Sequence, residues 1–579
     1  MRTGSAERLY DVHVEEDVVM QARDGTRLYA DVYRPAEGGP FPVILMRTPY
    51  DKRAAQADTY AHPLWYARHG YMVVVQDARG RWRSEGTFTP FAHEADDGYD
   101  AVEWAARLPG SSGKVGMYGF SYVGATQLLA ATRRPPGLVC ICPGLTGSQY
   151  YEGWTYRSGA FALAFNLTWA ATLAQDTARR RGLPDVEQRL RDVRTAPALH
   201  YDALPLRAFA PLRDHDIAPY YDDWLEHERY DEYWRRWSID ERYEQIDVPA
   251  LHIAGWYDIF LDGTLRNYVG IRDRGATDLA RRHQRLLVLP WYHSPWSSMV
   301  GPVDFGPEAL NRIDSLQLRW FDRWLRGVRN GVDEEPPVEV FVMGASTWRR
   351  AADWPVPGTT FTDFYLHSDG RANSLSGDGA LTLEPPKDEH PDTFVYDPRR
   401  PVLSLGGRSC CSPLITPMGP ADQRPVEAGG SVLVYTSAPM EEDLEVTGPV
   451  AATLWAATTA VDTDWTVKLV DVHPAGFALN VADGIIRARF HESCRAPRLL
   501  RPGEVYRYEI DLGATGNLFR RGHRIRVEVS SSNFPCYDRN TNTGRELGVD
   551  TISDAITARQ TIFHDAARPS HVRLPVAPR

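Results

Sequence analysis

The hydrophobic positions at the start of the chain form short runs with the length of β-strands. Val12–Arg23 and Thr26–Tyr33 are strand-like runs joined at Asp24-Gly25, a dipeptide typical of hairpin turns. Pro42–Met46 and Tyr71–Gln76 are continuous apolar runs, the pattern of strands that are buried on both faces. We therefore expect the first part of the chain to build one sheet.

Helical spacing follows these runs. Apolar residues recur at i, i+3, i+4 and i+7 just before Pro109-Gly110, and acidic residues precede them near the positive amino end of the expected helix. The four apolar positions are Ala101, Trp104, Ala105 and Leu108. Strands that alternate with helices in this way predict an α/β fold built on a mostly parallel, doubly wound sheet with helices on both faces.

The pattern changes between residues 148 and 244. Helical and aromatic segments such as Tyr220–His227 occur there without strand alternation, and we interpret the region as a helical cap inserted over the sheet. Strand-like runs return at Pro249–Gly255 and Arg285–Pro290, and a helix is expected from Glu308 to Leu325. The sheet domain is thus interrupted by the cap and resumes after it.

Short strands separated by Gly, Pro, Asp and Asn fill the last part of the chain. Examples are Val338–Met343, Ser431–Thr436, Val450–Ala456 and Ile525–Ser530. This punctuation without a long helix predicts an all-β sandwich. The expected domains are residues 1–147 with 245–330 for the catalytic unit, 148–244 for the cap, and 331–579 for the sandwich.

Composition narrows the function classes. The chain of 579 residues has a formal net charge of −11, which argues against a nucleic-acid partner, since such proteins usually present a basic face. Its six Cys form neither a disulfide framework nor a two-pair metal spacing, which is compatible with a reducing cytoplasm. We expect a cytoplasmic location, no metal and no cofactor. Met1–Asp11 has no apolar segment, and the apolar stretch Ala160–Ala174 is interrupted by Asn166 and two threonines, so no membrane span is expected.

The segment Lys114–Gly124 combines an apolar strand, a turn flanked by glycines and the start of a helix. This is the pattern of a nucleophile elbow, in which Ser121 sits on a sharp turn and presents its hydroxyl to a cleft. The fit to G-x-S-x-G is incomplete, because Val123 occupies the second position after the serine and Gly124 the third. The alternative is a glycine-rich packing device with no chemistry.

A serine nucleophile needs a base and a group that orients the base. In an α/β-hydrolase the chain order is Ser, acid, His, and two strands after the elbow supply it. Asp258 follows one strand end and His293 follows the next, so these are the predicted acid and base. Asp262 competes with Asp258 for the acid role, a loop-capping role remains open for Asp258, and His293 could be a polar loop histidine.

An oxyanion hole requires two hydrogen-bond donors. The backbone N–H of Tyr122, directly after the nucleophile, is the first expected donor. Tyr50, in the loop after an earlier strand, offers a phenol O–H as the second. A tyrosine at a strand end can also be an ordinary amphipathic edge of the core.

Several motifs together resemble the cocaine esterase branch (CocE/NonD hydrolases) of the Xaa-Pro dipeptidyl-peptidase superfamily. They are Gly119–Gly124, Arg47–Tyr50, Gln76–Gly80, Gly255–Asp258, Pro290–His293, Trp320–Gly327 and Ser530–Pro535. The resemblance runs nearly end to end and implies an α/β-hydrolase domain, a helical cap and a C-terminal jelly-roll. It also implies the triad and oxyanion hole named above, and it accounts for Val123, because the family elbow has the pattern G-x-S-Y-x-G.

The same resemblance implies an aromatic acyl pocket. Trp154, Trp169 and Phe260 fall where the family lines that pocket, and Cys410-Cys411 fall where it has larger apolar residues. Trp154 and Trp169 are 15 residues apart, which on one helix would return nearly the same face. Both tryptophans could instead pack the cap onto the sheet, and the cysteine pair could be redox-active or simply small and polarisable.

The sequence thus predicts a serine hydrolase that cleaves a small-molecule ester, or an amide, through an acyl-enzyme. Xaa-Pro dipeptidyl-peptidase and β-lactam acylase activities are alternatives within the same chemistry. A binding protein with a vestigial hydrolase domain is an alternative of another class, disfavoured because Ser121, Asp258, His293 and Tyr50 are all present. A homodimer is a further expectation.

Overall fold

The computed structural model describes residues 9–578 and begins with six strands of one sheet. These are β1 (Val12–Gln21), β2 (Arg27–Pro35), β3 (Phe41–Thr48), β4 (Met72–Asp77), β5 (Ser111–Phe120) and β6 (Leu138–Gly144), with helices α1 (Pro63–Arg68), α2 (Glu94–Ala106) and α3 (Tyr122–Ala131) between them. β1 and β2 form the predicted hairpin. All residues of β3 and β4 are buried, as expected of parallel strands covered on both faces.

The cap that follows is helical, as predicted. It contains a two-stranded ribbon, β7 (Tyr156–Arg157) and β8 (Ala160–Phe161), and helices α4 (Leu163–Arg180), α5 (Pro184–Thr195), α6 (Ala210–Arg213), α7 (Pro219–Glu226) and α8 (Glu232–Arg235). The apolar stretch Ala160–Ala174 supplies the ribbon and most of α4, whose side chains are largely buried. None of the helices among residues 9–578 is both long and apolar enough to cross a bilayer.

The chain then returns to the first sheet. It adds β9 (Ala250–Gly255), β10 (Gln284–Leu289), the small hairpin β11 (Met299–Val300) and β12 (Val303–Asp304), then β13 (Val338–Val342) and β14 (Thr347–Ala351), with helices α9 (Leu261–Arg274), α10 (Asp278–Arg282) and α11 (Ile313–Arg326). The ten-stranded sheet has the order β1-β2-β4-β3-β5-β6-β9-β10-β13-β14, and every pair from β4 to β13 is parallel.

One prediction about this sheet is wrong. The run Val338–Met343 was expected to open the β-sandwich, but β13 pairs in parallel with β10 and antiparallel with β14. A fully buried apolar strand satisfies either sheet, so its pattern does not identify its partner. The sheet of the hydrolase unit therefore extends beyond residue 330 to Ala351.

The C-terminal unit is β-rich. Its strands are β15 (Thr360–His367), β16 (Ala380–Thr382), β17 (Asp392–Tyr396), β18 (Leu433–Thr436), β19 (Leu444–Thr458), β20 (Asp464–Val472), β21 (Ala478–Arg487), β22 (Tyr506–Phe519), β23 (Arg524–Ser530), β24 (Ala558–Asp565), β25 (Arg568–Pro569) and β26 (His571–Val576), with a short helix α12 (Arg424–Glu427). All but one of the strand pairings in this unit are antiparallel. The β domain is therefore present as expected, whereas its jelly-roll topology stays a prediction.

A loop of the β domain reaches back to the hydrolase sheet. Gly407 and Gly419 pair with each other and close the base of this segment, which we call the 407–419 loop. Within it, Ser409 forms a bridge with Asp258, and its N–H donates to the carbonyl of Tyr257 over 3.3 Å. The loop thus lies directly against the turn that follows β9.

Candidate active site

The sheet topology fixes where a site can form. The chain continues from β3 to β4 on one side and later places β5 on the other side, so the order reverses between β3 and β5. A crevice opens outside the carboxyl ends of strands at such a reversal. Tyr50 follows β3 and Ser121 follows β5, so the two predicted residues flank this crevice.

Ser121 occupies the turn between β5 and α3 with φ +65°, a left-handed conformation that a non-glycine residue adopts only under constraint. Glycines make the turn possible. A Cβ at Gly119 would lie 2.2 Å from Val123 Cγ1, and a Cβ at Gly124 would lie 2.8 Å from the carbonyl oxygen of Gly144. The close approach at Gly124 explains why the small residue is needed there, although the simpler motif places it one position earlier.

Gln56 holds the strand end below Ser121. Its Nε2 donates to the carbonyl of Phe120 over 3.0 Å, and the N–H of Phe120 donates back to its Oε1 over 3.0 Å. The N–H of Ser121 donates to the carbonyl of Gly144 over 3.0 Å. These bonds tie the elbow to both sides of the crevice, and the sequence offered no signal for Gln56.

Asp258 and His293 meet as predicted. Asp258 lies three residues beyond β9 and His293 four residues beyond β10, and His293 Nδ1 is 2.7 Å from Asp258 Oδ1. Burial raises the pKa of the Asp258 carboxyl, and the His293 ring opposes that rise. With the aspartate ionised, Nδ1–H donates to it and Nε2 is left as the acceptor, the tautomer that a general base needs.

The competing acid Asp262 has different partners. Its carboxylate contacts Arg157 over 2.8 Å and Arg408 over 3.0 Å, within a buried cluster between the hydrolase unit and the β domain. Both guanidinium groups hold the pKa of Asp262 below its usual range despite burial. Asp262 is therefore part of a buried ion-pair cluster, and Asp258 is the residue that faces the histidine.

Tyr50 is oriented as a donor. Its phenol oxygen accepts a hydrogen bond of 2.9 Å from Trp169 Nε1, and the same phenol is within hydrogen-bonding reach of Ser121 in the crevice. Burial raises the pKa of Tyr50 to about 12, so the phenol keeps this proton at neutral pH. Tyr122 is the first residue of α3, where a backbone N–H has no acceptor within the helix. Its own phenol is buried and donates to Glu94 over 2.9 Å, so only its amide is suited to an oxyanion.

A cavity of about 610 Å³ opens at this point. Its walls include Tyr50, Ser121, Phe165, Trp169, His293 and Cys411. The predicted base, nucleophile and phenol donor therefore share one cavity. The order of the strands along the chain does not predict distances between these side chains. They lie close together because each follows the carboxyl end of a strand at the same edge of the sheet.

The predicted aromatic residues lie in two layers. Trp169 lines the cavity, whereas Trp154 and Phe260 are 1% and 0% exposed and stack on each other with ring centroids 4.0 Å apart. Trp154 is 5.4 Å from Trp169 between ring centroids, so the predicted proximity is present. The helical reason for it is wrong, because Trp154 precedes α4 and lies in a turn before β7. Trp154 and Phe260 therefore pack behind the residues that line the cavity and do not line it themselves.

Phe165 was missed from the sequence, and a loop of the β domain completes the wall. Phe165 lines the cavity and stacks on Trp169 with ring centroids 5.5 Å apart, and its spacing four residues before Trp169 on one helix was the available signal. Cys411, Ser412 and Ile415 line the cavity from the 407–419 loop of the β domain. The family resemblance places Cys410-Cys411 at the pocket, and Cys411 lies there, whereas no local pattern in the sequence indicates Ser412 and Ile415.

The basic loop after β4 braces the site. Buried Arg81 donates to the carbonyl of Pro49, next to Tyr50, over 2.9 Å and to the carbonyl of Leu173 in α4 over 2.7 Å. Arg79 contacts Asp97 of α2 over 2.6 Å. Arg81 therefore ties the phenol donor to the cap helix that carries Trp169.

Comparisons with known proteins identify the family of this chain. Residues 24–295 match the family model of the X-Pro dipeptidyl-peptidase (S15 family), and residues 330–573 match that of the X-Pro dipeptidyl-peptidase C-terminal non-catalytic domain. The chain is 38% identical to the cocaine esterase of Rhodococcus sp. (strain MB1 Bresler), over 98% of this chain and 99% of that protein. The chain belongs to the S15 family. It is a serine hydrolase.

Solved structures agree on the fold of this S15 hydrolase. An aminopeptidase from a marine sediment archaeon, Thaumarchaeota archaeon, superposes with a TM-score of 0.83 at 24% identity, covering 100% of this chain and 98% of that one. An α-amino acid ester hydrolase superposes with a TM-score of 0.79 at 25% identity, with the same coverage. The S15 hydrolase thus shares a hydrolase unit and a β domain with proteins named for different substrates, so fold alone does not select the substrate.

Proposed function

We propose that this S15 hydrolase cleaves carboxylic esters through an acyl-enzyme on Ser121. The observation that carries the proposal is the 2.7 Å contact of His293 with Asp258 beside a cavity that also presents Ser121 and Tyr50. A serine hydroxyl becomes nucleophilic when a neighbouring imidazole takes its proton, and a carboxylate stabilises the imidazolium that results.

The steps follow from these groups. His293 Nε2 accepts the proton of Ser121 as Oγ attacks the ester carbonyl carbon, and the imidazolium then gives that proton to the departing alkoxide. The Tyr50 phenol and the Tyr122 N–H donate to the oxyanion of the tetrahedral intermediate. His293 then deprotonates a water molecule that attacks the acyl carbon, and the imidazolium returns this proton to Ser121 Oγ as the acid is released.

The aromatic wall favours an uncharged aromatic or branched acyl group. Phe165 and Trp169 present stacked rings to the cavity, and Trp154 and Phe260 fill the space behind them, so the wall is rigid and apolar. The relative named cocaine esterase is, by its name, an esterase. A buried ring wall stabilises an aryl group through contact area and ring packing.

The second candidate is Xaa-Pro dipeptidyl-peptidase activity, favoured by the family match. Such a substrate carries an ammonium group, which needs facing carboxylates once it is desolvated. Among the described lining residues, Asp51 is paired with Arg53 over 2.7 Å and Asp58 is exposed. Neither offers a buried, unpaired carboxylate, so we expect esters to be cleaved far better than dipeptide anilides.

The nucleophile is tested with a fluorophosphonate probe and a phenyl ester. Wild type should label and turn over, and Ser121→Ala should lose labelling and about 10⁴ or more in kcat. Ser111→Ala, at the far end of β5, is the matched control and should label normally. Turnover of Ser121→Ala near the wild-type rate would overturn the acyl-enzyme.

The substrate class is tested separately. We compare kcat/KM for a benzoyl or phenyl ester with that for an Ala-Pro anilide, in wild type and in Phe165→Ala and Trp169→Ala. The ester should be preferred, and each truncation should lower its kcat/KM by about tenfold or more because a ring contact is lost. Preference for the anilide, or an ester rate indifferent to both truncations, would contradict the aromatic acyl site.

A further inference from the structure

The cavity carries two adjacent cysteines that the hydrolytic steps do not use. Cys410 and Cys411 lie in the 407–419 loop and are joined as a disulfide. Cys410 is 1% exposed and packs in the aromatic core around the site, whereas Cys411 is exposed and lines the cavity. The pair is therefore half open to solutes that enter the cavity.

The two sulfurs lie beside the catalytic base. One ligand atom from each of Cys410, Cys411 and His293 lies within 4.8 Å of the other two. A tetrahedral Zn²⁺ with Zn–S of about 2.3 Å and Zn–N of about 2.0–2.1 Å separates neighbouring ligand atoms by roughly 3.5–3.8 Å. The two sulfurs are bonded to each other in the disulfide, so reduction must first let them separate to this spacing. Two thiolates and an imidazole are then the ligand types that soft divalent cations prefer.

We propose that reduced Cys410 and Cys411, together with His293, bind one thiophilic divalent cation such as Zn²⁺ or Cd²⁺, and that the disulfide closes this site. Reduction needs an external thiol or phosphine, which attacks the exposed sulfur of Cys411 and releases Cys410 as the leaving thiolate. Two electrons and two protons convert the disulfide to two thiols, and the reductant is oxidised in the same exchange. The cation then displaces both thiol protons and takes the free lone pair of His293 Nε2.

Occupancy has a direct consequence for the proposed hydrolysis. Nε2 is the atom that accepts the proton of Ser121, since Nδ1 faces Asp258. A cation on Nε2 removes that acceptor, so the metal-bound enzyme is inactive and the disulfide form is resistant to the metal. The inhibition rests on the proposed function, whereas the binding does not.

A second group of possible metal ligands makes a control for binding elsewhere in the chain necessary. Asp471, His473 and His523 bring three ligand atoms within 4.8 Å of one another in the β domain, with nitrogen and oxygen atoms only. Cadmium bound there gives no thiolate-to-metal absorption band. His473→Ala removes one of these ligands and leaves the cysteine pair unchanged.

Binding is measured on the full chain by titrating Cd²⁺ while recording the near-ultraviolet thiolate band. The protein is first reduced with a trialkylphosphine, which takes oxygen from water and becomes the phosphine oxide, and is then desalted without air. Reduced wild type, Ser121→Ala and His473→Ala should each develop the band at one equivalent of Cd²⁺. Cys410→Ser, Cys411→Ser and the oxidised protein should not.

Activity is the second readout, with each variant compared with its own metal-free rate. Cd²⁺ should lower the ester hydrolysis of reduced wild type at least tenfold, and oxidised wild type and both Cys→Ser variants should lose that sensitivity. A band that persists in both Cys→Ser variants, or no band in reduced wild type, would overturn the site. Equal metal sensitivity before and after reduction, or no gain of two hydrogens in mass on reduction, would overturn the disulfide gate. If no ester is hydrolysed, the proposed function fails while the band still decides the metal site.

Discussion

Replacing Tyr50 by Phe tests the oxyanion hole most directly. The phenol accepts from Trp169 Nε1 over 2.9 Å, and its own proton is the donor that we assign to the oxyanion. Phe keeps the ring and removes only the oxygen. Loss of one oxyanion donor costs about 10²–10³ in kcat, or about 2.7–4 kcal/mol of transition-state stabilisation, with little change in KM.

The same substitution has a second, structural cost. Trp169 is 6% exposed, and its ring N–H loses its acceptor in Tyr50→Phe. An unsatisfied buried donor costs about 1–3 kcal/mol, so the variant should also unfold at a lower temperature. Trp169→Phe separates the two effects, because it removes the N–H and keeps the Tyr50 phenol. It should change KM more than kcat, since Trp169 lines the cavity.

The assay is steady-state hydrolysis of a phenyl ester with thermal unfolding measured in parallel. Because the pKa of Tyr50 is raised to about 12, the phenol remains protonated and able to donate throughout pH 7–10, and it contributes no alkaline limb to the kcat profile in that range. A kcat for Tyr50→Phe within threefold of wild type would refute the donor role. A tenfold rise in KM at unchanged kcat would instead assign Tyr50 to substrate binding.

Three further outcomes follow from the packing. Burial raises the pKa of Glu528 to about 8 from 4.5, so the folded state binds the extra proton between these values and stability falls as pH rises from about 5 to 8. Glu528→Gln has no carboxyl to titrate, so between pH 5 and 8 its Tm should fall by about 3 °C less than the Tm of wild type. The control Glu384→Gln, at an exposed position, should show the same change in Tm with pH as wild type. Gly124→Ala should lose about 1–3 kcal/mol and slow fluorophosphonate labelling, because its Cβ meets the carbonyl of Gly144, and normal Tm with normal labelling would contradict the close approach. Arg81→Met removes a donor to the carbonyls of Pro49 and Leu173 and leaves buried Asp176, 3.7 Å from the guanidinium, without that counter-charge, so it should cost about 3–5 kcal/mol by chemical denaturation, and a loss under 1 kcal/mol would show that the brace is dispensable.

The sequence was sufficient for the parts of the site that depend on strand ends. Parallel strands place their carboxyl ends at one edge, so position and order alone predicted that Ser121, Asp258, His293 and Tyr50 would meet around one crevice. Asp258 was preferred to Asp262 because it is closer in sequence to the end of its strand, without any knowledge of interatomic distances. The geometry then accounts for it, because Asp262 is engaged by two arginines.

The sequence was insufficient wherever contacts join distant segments. The pattern of β13 fits a buried strand in either unit, and only pairing with β10 decides between them. The helical argument for Trp154 and Trp169 gave the right neighbours for the wrong reason, since a turn followed by α4 brings their rings together. Cys411 lines the cavity from a loop more than a hundred residues beyond His293. Local periodicity does not indicate that this loop contacts the hydrolase sheet.

The 407–419 loop also sets the order in which a working enzyme can be assembled during synthesis. Ser121, Asp258 and His293 all leave the ribosome before residue 407 is translated, and N-terminal units generally fold first. A nascent chain that has folded its hydrolase sheet therefore still lacks one wall of its cavity and the bridge from Ser409 to Asp258. The cavity wall is complete only after the β domain has been synthesised and has docked, so the last third of the chain finishes a cavity whose other walls are translated earlier.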